Sequence, residues 1–315
     1  MKVIVTGSAS RLAAAVIPRL LRHPDVTGVV GVDLRPVRFP DARFEPHVVD
    51  VRDRAMHRLL GSADAVVHLA FVVMRSDLGR LRGDRGLMHS INVEGSLAVF
   101  EGAAMAGIRC IIHCSSASVY GYGPPDVRLA EDAPLKALPG FFYAEDKIEI
   151  ERWLDTFEQR HPAVRVARLR PHAILGPHAQ PILKQLATGH IYPVLPRPEP
   201  LIQCVHEEDV AEAVTRALFT TTATGAFNLS TDDAQSLRSL VRTRGWAIAV
   251  PLPLIRAAAA LSWRFGQNTT DPSWVLGLRH SLVLDNRKAR TILEWLPQYP
   301  LMSSCVDSMT HDSRA

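Results

Sequence analysis

Lysine is nearly missing from this chain. Of 36 basic residues in 315, only Lys2, Lys136, Lys147, Lys184 and Lys288 are lysines. The arginines are spread along the chain and the net charge is only +4. No basic stripe interleaved with aromatics is present, which excludes a nucleic-acid footprint. Cysteine is equally sparse. Cys110, Cys114, Cys204 and Cys305 form no Cys-x-x-Cys pair and no zinc spacing, so no metal site is expected. Cys110 and Cys114 lie in an apolar run and read as small buried thiols in a reducing compartment. Long apolar runs are absent too. Residues 250–263 come nearest, but Pro251, Pro253 and Arg256 interrupt them, which excludes a membrane span. They suit an amphipathic helix that lines a pocket or lies on a membrane surface, with the pocket reading preferred. Met1-Lys2 leads straight into a strand-like run without a signal-peptide pattern, so a cytoplasmic location is expected.

What is present has the order of an α/β protein. Lys2-Val3-Ile4-Val5-Thr6 reads as a buried strand, Gly7-Ser8-Ala9-Ser10-Arg11-Leu12-Ala13 as a tight turn, and Ala14 to Leu21 as a helix. Strand, turn and helix open a dinucleotide-binding βαβ unit, whose helix N-terminus faces a pyrophosphate. The glycine series is reduced to Gly7, with Ser10 and Ala13 at the later small positions. A second strand, 26–32, ends at Asp33. A carboxylate there accepts hydrogen bonds from ribose hydroxyls and repels a 2′-phosphate, which favours NAD, while Arg35 keeps NADP open. Residues 47–51 read as a third strand that carries Asp50 to the adenine edge, and 65–70 as a fourth. Residues 75–86, charged and glycine-containing, read as a mobile loop. Asn92 opens a helix through Phe100. A fifth strand, 109–113, runs into Ser115-Ser116, at the strand end where ligands bind in such sheets.

Tyr143 and Lys147 stand four apart on a helix that continues through Ile148, Ile150, Leu154 and Phe157. A neighbouring ammonium favours the phenolate and lowers the tyrosine pKa from about 10, making the pair an acid/base unit for a hydroxyl or carbonyl. Residues 164–171 read as a sixth strand, the prolines at 193, 196, 198 and 200 as a stiff crossing, 205–210 as a helix entry and 226–230 as a further strand. Helices are expected from Asp232 onward, including 282–293, with a frayed tail over 302–315.

These residues resemble the extended short-chain dehydrogenase/reductases, the NAD-dependent epimerase/dehydratase family. The likeness rests on Thr6-Gly7, Asp33, Asp50-Val51, His68-Leu69-Ala70, Asn92-Val93-Glu94-Gly95-Ser96, the run 115–121, Tyr143-x-x-x-Lys147, Arg170-Pro171 with Gly176-Pro177, and Val205-His206-x-x-Asp209-Val210. The resemblance implies a doubly wound parallel sheet of the Rossmann type with a smaller, mostly helical substrate part. Residues 1–171, joined by 203–231, would hold the dinucleotide. Residues 172–202 and 232–315 would hold substrate. It implies a catalytic set of Ser116, Tyr143 and Lys147, and an NAD site formed by Gly7, Ser10, Arg11, Leu12, Asp33, Asp50, Val51, Leu69, Ala70, Asn92, Tyr143, Lys147 and Pro171. It implies a homodimer paired through the Asn92 and Tyr143 helices. It also implies hydride transfer at a secondary alcohol or ketone carbon, by epimerase or dehydrogenase chemistry, which the sequence does not separate. Relatives that act on nucleotide sugars carry an arginine just before the Val-His-x-x-Asp segment. This chain has Pro200-Leu201-Ile202-Gln203-Cys204, so a substrate without a diphosphate is expected, sugar-derived or, as the apolar run 250–263 suggests, a more hydrophobic sterol-like or lipid-derived alcohol or ketone. The competing reading is a dinucleotide-sensing regulator on the same fold. Such relatives lose the Tyr or Lys that this chain retains.

Overall fold

A computed structural model describes residues 1–73, 84–124, 126–265 and 272–310. Seven parallel strands form one sheet. They are β1 (Lys2–Thr6), β2 (Gly28–Asp33), β3 (Phe44–Val48), β4 (Ala65–His68), β5 (Cys110–Cys114), β6 (Arg165–Pro171) and β10 (Gly225–Leu229), in the order β10-β6-β5-β4-β1-β2-β3. β1, β2 and β4 are largely apolar because both faces are covered, whereas β3 at the sheet edge is mostly exposed and β6 carries Arg165, Arg168 and Arg170. Val3 and Val5 point to one side, where they meet α1 (Ala13–Arg22) and α7 (Glu207–Phe219). Ile4 points to the other, where it meets α2 (Ala55–Leu60), α4 (Gly95–Met105) and α5 (Phe142–Arg160). The chain runs outward from β1 through β2 and β3, then restarts at β4 and runs the other way. The reversal opens a crevice at the carboxyl ends of β1 and β4, where such sheets bind ligands.

The remaining elements are shorter. They comprise α3 (Arg85–His89), β7 (Ile174–Leu175) paired with β9 (Val205–His206), α6 (Pro181–Thr188), β8 (Ile191–Val194) paired with β11 (Trp246–Ala249), α8 (Leu237–Val241), α9 (Leu252–Arg264), a 3-10 helix (Pro272–Arg279), α10 (Arg287–Ile292) and α11 (Met302–Ser308).

Several expectations need correction. The third strand ends at Val48, so Asp50 and Val51 lie beyond it. Asp50 instead closes a turn by accepting from the Arg52 backbone N–H at 2.9 Å. Residues 75–83 of the expected loop lie outside the described residues, whereas 85–89 are helical, capped by Asp84, whose carboxylate accepts from Leu87 N–H at 2.8 Å. Asn92 opens no regular helix. It sits in a π-helical turn, Ser90–Glu94, that precedes α4. The helix expected over 282–293 is confined to α10, because Leu284 is held extended by a bridge to Leu129. The tail is not frayed through 308. Met302, Cys305 and Val306 of α11 are buried against Leu175, Cys204 and Leu240. Residues 311–315 lie outside the described residues.

Candidate active site

The crevice begins at Gly7. Its φ is 70°, and a Cβ there would lie 2.6 Å from the backbone nitrogen of Ala70. Glycine is therefore required twice over, for the left-handed turn and for the close approach of β1 to the end of β4. Ser10 has a job that glycine could not do: its hydroxyl accepts from the N–H of Ala13, the first residue of α1, at 3.3 Å, with Arg11 and Leu12 in the turn between. Asp33 accepts from Ala9 N–H at 3.0 Å and from Arg35 N–H at 2.9 Å, while the Arg35 guanidinium lies 3.6 Å from its carboxylate and donates to the Ala9 carbonyl. Asp50 is held by Arg52 through Nε at 3.0 Å and Nη2 at 2.6 Å, hydrogen bonds that keep its carboxyl below the usual range. Val51 packs at Gly95, where a Cβ would meet it at 2.9 Å. Leu69 N–H donates to the Thr6 carbonyl, and Ala70 follows at the crevice floor. Pro171 ends β6 beside Leu229. The Ser8 hydroxyl is buried in the turn with no partner among the described residues.

Helix α5 carries the expected tyrosine–lysine pair. Tyr143, Lys147 and Glu151 follow one another at four-residue spacing down one face. Ser116, just past the end of β5, interacts with the Tyr143 phenol and acts to lower its pKa, while its Oγ accepts from Ser118 N–H at 3.2 Å. Lys147 Nζ donates to the Cys114 carbonyl at 2.6 Å and lies 3.6 Å from the centroid of the Phe71 ring. Burial lowers its pKa to about 8. The expected lowering of the tyrosine pKa is not found. Burial pushes the Tyr143 phenol up, and the interaction with Ser116 only partly opposes this. Desolvation outweighs the charge because the ammonium is spent on a carbonyl and an aromatic ring.

Two buried networks fix this helix, and neither was evident from the sequence. In the first, Ser115 Oγ donates to Glu151 at 2.5 Å and Arg170 grips Glu151 through Nε at 2.9 Å and Nη2 at 2.5 Å. Arg170 also donates to the Tyr120 hydroxyl at 2.6 Å, and Tyr120 donates to Asn228 Oδ1 at 2.8 Å. The neighbour of Ser116 is thereby tied to β6 and β10. In the second, the fully buried Asp146 is paired with Arg85 and accepts from Asn92 Nδ2 at 3.0 Å. Asn92 Oδ1 accepts from Val72 N–H at 2.7 Å. Asn92 thus joins the chain after β4 to the helix that carries Tyr143. The π-helical turn orients this side chain inward, as such turns often do at functional sites.

Aromatic rings cover Tyr143. Trp274 of the 3-10 helix lies 5.2 Å from it, Phe71 5.4 Å and Phe141 5.9 Å, with Leu138 and Leu276 in the same apolar cluster. Gln203, where an arginine was looked for, is buried and fully used: its amide donates to the Thr231 carbonyl at 2.6 Å and its oxygen accepts from Leu284 N–H at 2.7 Å. Trp274 and Phe71 gave no signal in the sequence, since neither shares a motif or periodicity with Tyr143. Among the described residues no cluster of three His, Cys, Asp or Glu could hold a metal, and no helix is long and apolar enough to cross a membrane.

Comparison with known proteins places this geometry. The NAD dependent epimerase/dehydratase family matches residues 3–230. A UDP-glucose 4-epimerase of Mycolicibacterium smegmatis is 27% identical, over 96% of this chain and 95% of its own. An uncharacterized protein of Mycobacterium tuberculosis is 25% identical over 97% and 82%. Among solved structures, a UDP-glucose-4-epimerase of Stenotrophomonas maltophila with bound NAD and formylated UDP-arabinopyranose superposes with a TM-score of 0.76 at 22% identity, covering 98% of this chain and 97% of that one. A Thermus thermophilus UDP-glucose 4-epimerase in complex with NAD gives 0.73 at 20%, covering 99% and 100%. At these identities the superpositions establish the fold.

Proposed function

The chain belongs to the NAD dependent epimerase/dehydratase family, and from that premise we propose an NAD-dependent enzyme that moves hydride at a secondary alcohol or ketone carbon of an apolar small molecule. The observation that carries the reading is Tyr143 one helical turn from the buried Lys147, whose ammonium is anchored on the Cys114 carbonyl two residues before Ser116. Bound NAD would supply the hydride acceptor. The chain's own residues do the rest. Gly7, Ser10, Arg11 and Leu12 present the start of α1 to the pyrophosphate. The partnerless Ser8 hydroxyl in that turn fits a ligand that completes it. Asp33 faces the ribose, and Arg35, already committed to Asp33, has less to offer a 2′-phosphate, which favours NAD over NADP. Asp50, Val51, Leu69, Ala70, Asn92 and Pro171 line the remaining length.

Tyr143, kept protonated by burial, is built to hold a proton at neutral pH and exchange it with the substrate oxygen. Ser116 donates to that same oxygen, and the hydroxyl of nearby Ser118, buried without a partner among the described residues, is available beside it. Lys147 keeps positive charge near the reacting oxygen. The rings of Trp274, Phe141 and Phe71 favour an apolar substrate, and the occupied Gln203 offers no grip for a diphosphate. We further propose that residues 1–171 with 203–231 serve the dinucleotide and 172–202 with 232–315 the substrate, that the enzyme acts in the cytoplasm, and that two copies pair through α4 and α5.

Titration of the purified protein with NAD and NADP, followed by a panel of alcohols, ketones and UDP-sugars, tests the reading. The expected outcome is micromolar NAD binding tighter than NADP and turnover of apolar ketones. Tyr143→Phe should retain NAD affinity and lose about 10²–10⁴-fold in kcat, the usual worth of a positioned acid/base. Full activity of that variant, or efficient turnover of UDP-glucose, would sink the mechanism or the substrate class respectively. The second reading, a dinucleotide sensor, draws on Phe71, whose ring covers the Lys147 ammonium. NAD binding without turnover of any of the panel, unchanged in Phe71→Ala, would favour it.

A further inference from the structure

Helix α9 is apolar, yet none of its residues is buried. Leu254, Ala258, Leu261 and Phe265 follow at the spacing of one helical stripe, and all four are exposed, Phe265 by 65%. The strand that leads into α9 behaves the same way. Trp246 is 78% and Ile191 64% exposed, and they are paired across β11 and β8 on the outer face of that small sheet, with Ile248 and Pro193 next along. The inner face, with Tyr192 and Val194, is buried. Contiguous exposed apolar surface of this kind marks an interaction site.

Charge identifies the partner. From residue 234 to residue 270 the sequence contains no Asp or Glu but five arginines. Arg238 and Arg244 are paired with Glu199 and Asp307. Arg242, Arg256 and Arg264, with Arg279 of the adjoining 3-10 helix, are exposed and have no acidic partner among the described residues. Apolar stripes bordered by unneutralised arginine are the pattern of a helix lying in the interface of an anionic bilayer. A second copy of the chain fits less well. A twofold contact would place these arginines against their own images with no carboxylate between them.

We propose that β8, β11 and α9 form a docking face for an anionic phospholipid surface, with α9 lying in the plane of the interface and Trp246 as its aromatic anchor. Helix α9 packs on the 3-10 helix that carries Trp274, so the face adjoins the cover over Tyr143.

The test is flotation of the full chain with vesicles of phosphatidylcholine alone and of phosphatidylcholine mixed with phosphatidylglycerol. Binding is expected to the mixed vesicles only, weakening with salt, with a blue shift of tryptophan emission that Trp246→Phe removes. Arg264→Gln should lower the partition coefficient roughly fivefold, the worth of one basic residue at such a surface. Leu261→Asp combined with Phe265→Asp should abolish binding while leaving the melting temperature and NAD affinity unchanged, since both side chains are solvent-exposed. Absence of binding, retention of binding by the double variant, or conversion of a dimer to a monomer by that variant would each overturn the proposal, the last by showing that a second copy covers the face.

Discussion

Lys147 is buried in a position that disfavours its charge. Its burial lowers the pKa to about 8, from about 10.4 in the unfolded chain, a cost on the order of 3 kcal/mol at neutral pH. The hydrogen bond from the ammonium to the Cys114 carbonyl returns about 1.5–3 kcal/mol. Lys147→Met should therefore be at least as stable as the wild type at pH 7, by up to about 1.5 kcal/mol, and inactive. The sign follows from linkage. Below pH 8 the folded protein carries the buried charge and the full penalty. As pH rises from 8 past 10 the wild-type lysine loses its proton and the penalty fades. Urea denaturation of both proteins at pH 7 and pH 10 measures this, and an equally large gap at the two pH values would refute it. A group kept at a cost to stability beside a half-buried tyrosine and a buried serine fits a site better than a core.

At the scale of elements, Asn92 joins parts that secondary structure alone leaves separate. Asn92→Ala would leave the Val72 N–H unpartnered and the Asp146 carboxylate with one partner fewer. A loss of about 2–3 kcal/mol is expected, with a larger effect on kcat than on NAD affinity because α5 is displaced more than the nucleotide turn. Denaturation midpoints and single-turnover rates would measure the two effects, and unchanged kcat would remove Asn92 from any positioning role. This contrast also shows what the sequence made legible. Parallel strands buried on both faces write themselves as apolar runs, so β1, β2, β4, β5 and β10 could be placed, β6 was legible from apolar residues alternating with arginines, and Tyr143 with Lys147 could be paired because helix spacing is local. The third strand was misplaced because Asp50 prefers its own turn, and α11 was missed because seven residues with a single charge, Asp307, gain their order only from a distant cluster. The cover of Trp274 and the tie of Arg85 to Asp146 depend on three-dimensional closure, for which a single sequence carries no periodic signal.

For the whole molecule, α11 ties together α6, α8 and the small β7–β9 sheet. It is held by its apolar contacts, by the bond from Met302 N–H to Asp233 at 2.8 Å, and by the contact of Ser308 with His206 at 2.9 Å. Deleting residues 301–315 exposes the cluster around Leu175 and Cys204 and should cost roughly 5 kcal/mol, from the burial of three apolar side chains. Against a total of about 5–15 kcal/mol, the truncated chain should unfold at markedly lower urea or fail to accumulate in soluble form. An unshifted midpoint would mean that α11 is dispensable.

The placement of β10 bears on how the protein is made. The edge of β6 is covered only when Gly225–Leu229 arrives, and about 50 residues must be synthesised between the two strands. At typical elongation rates this takes roughly 3–10 s. During that interval a nearly finished sheet leaves the ribosome with the outer edge of β6 unpaired.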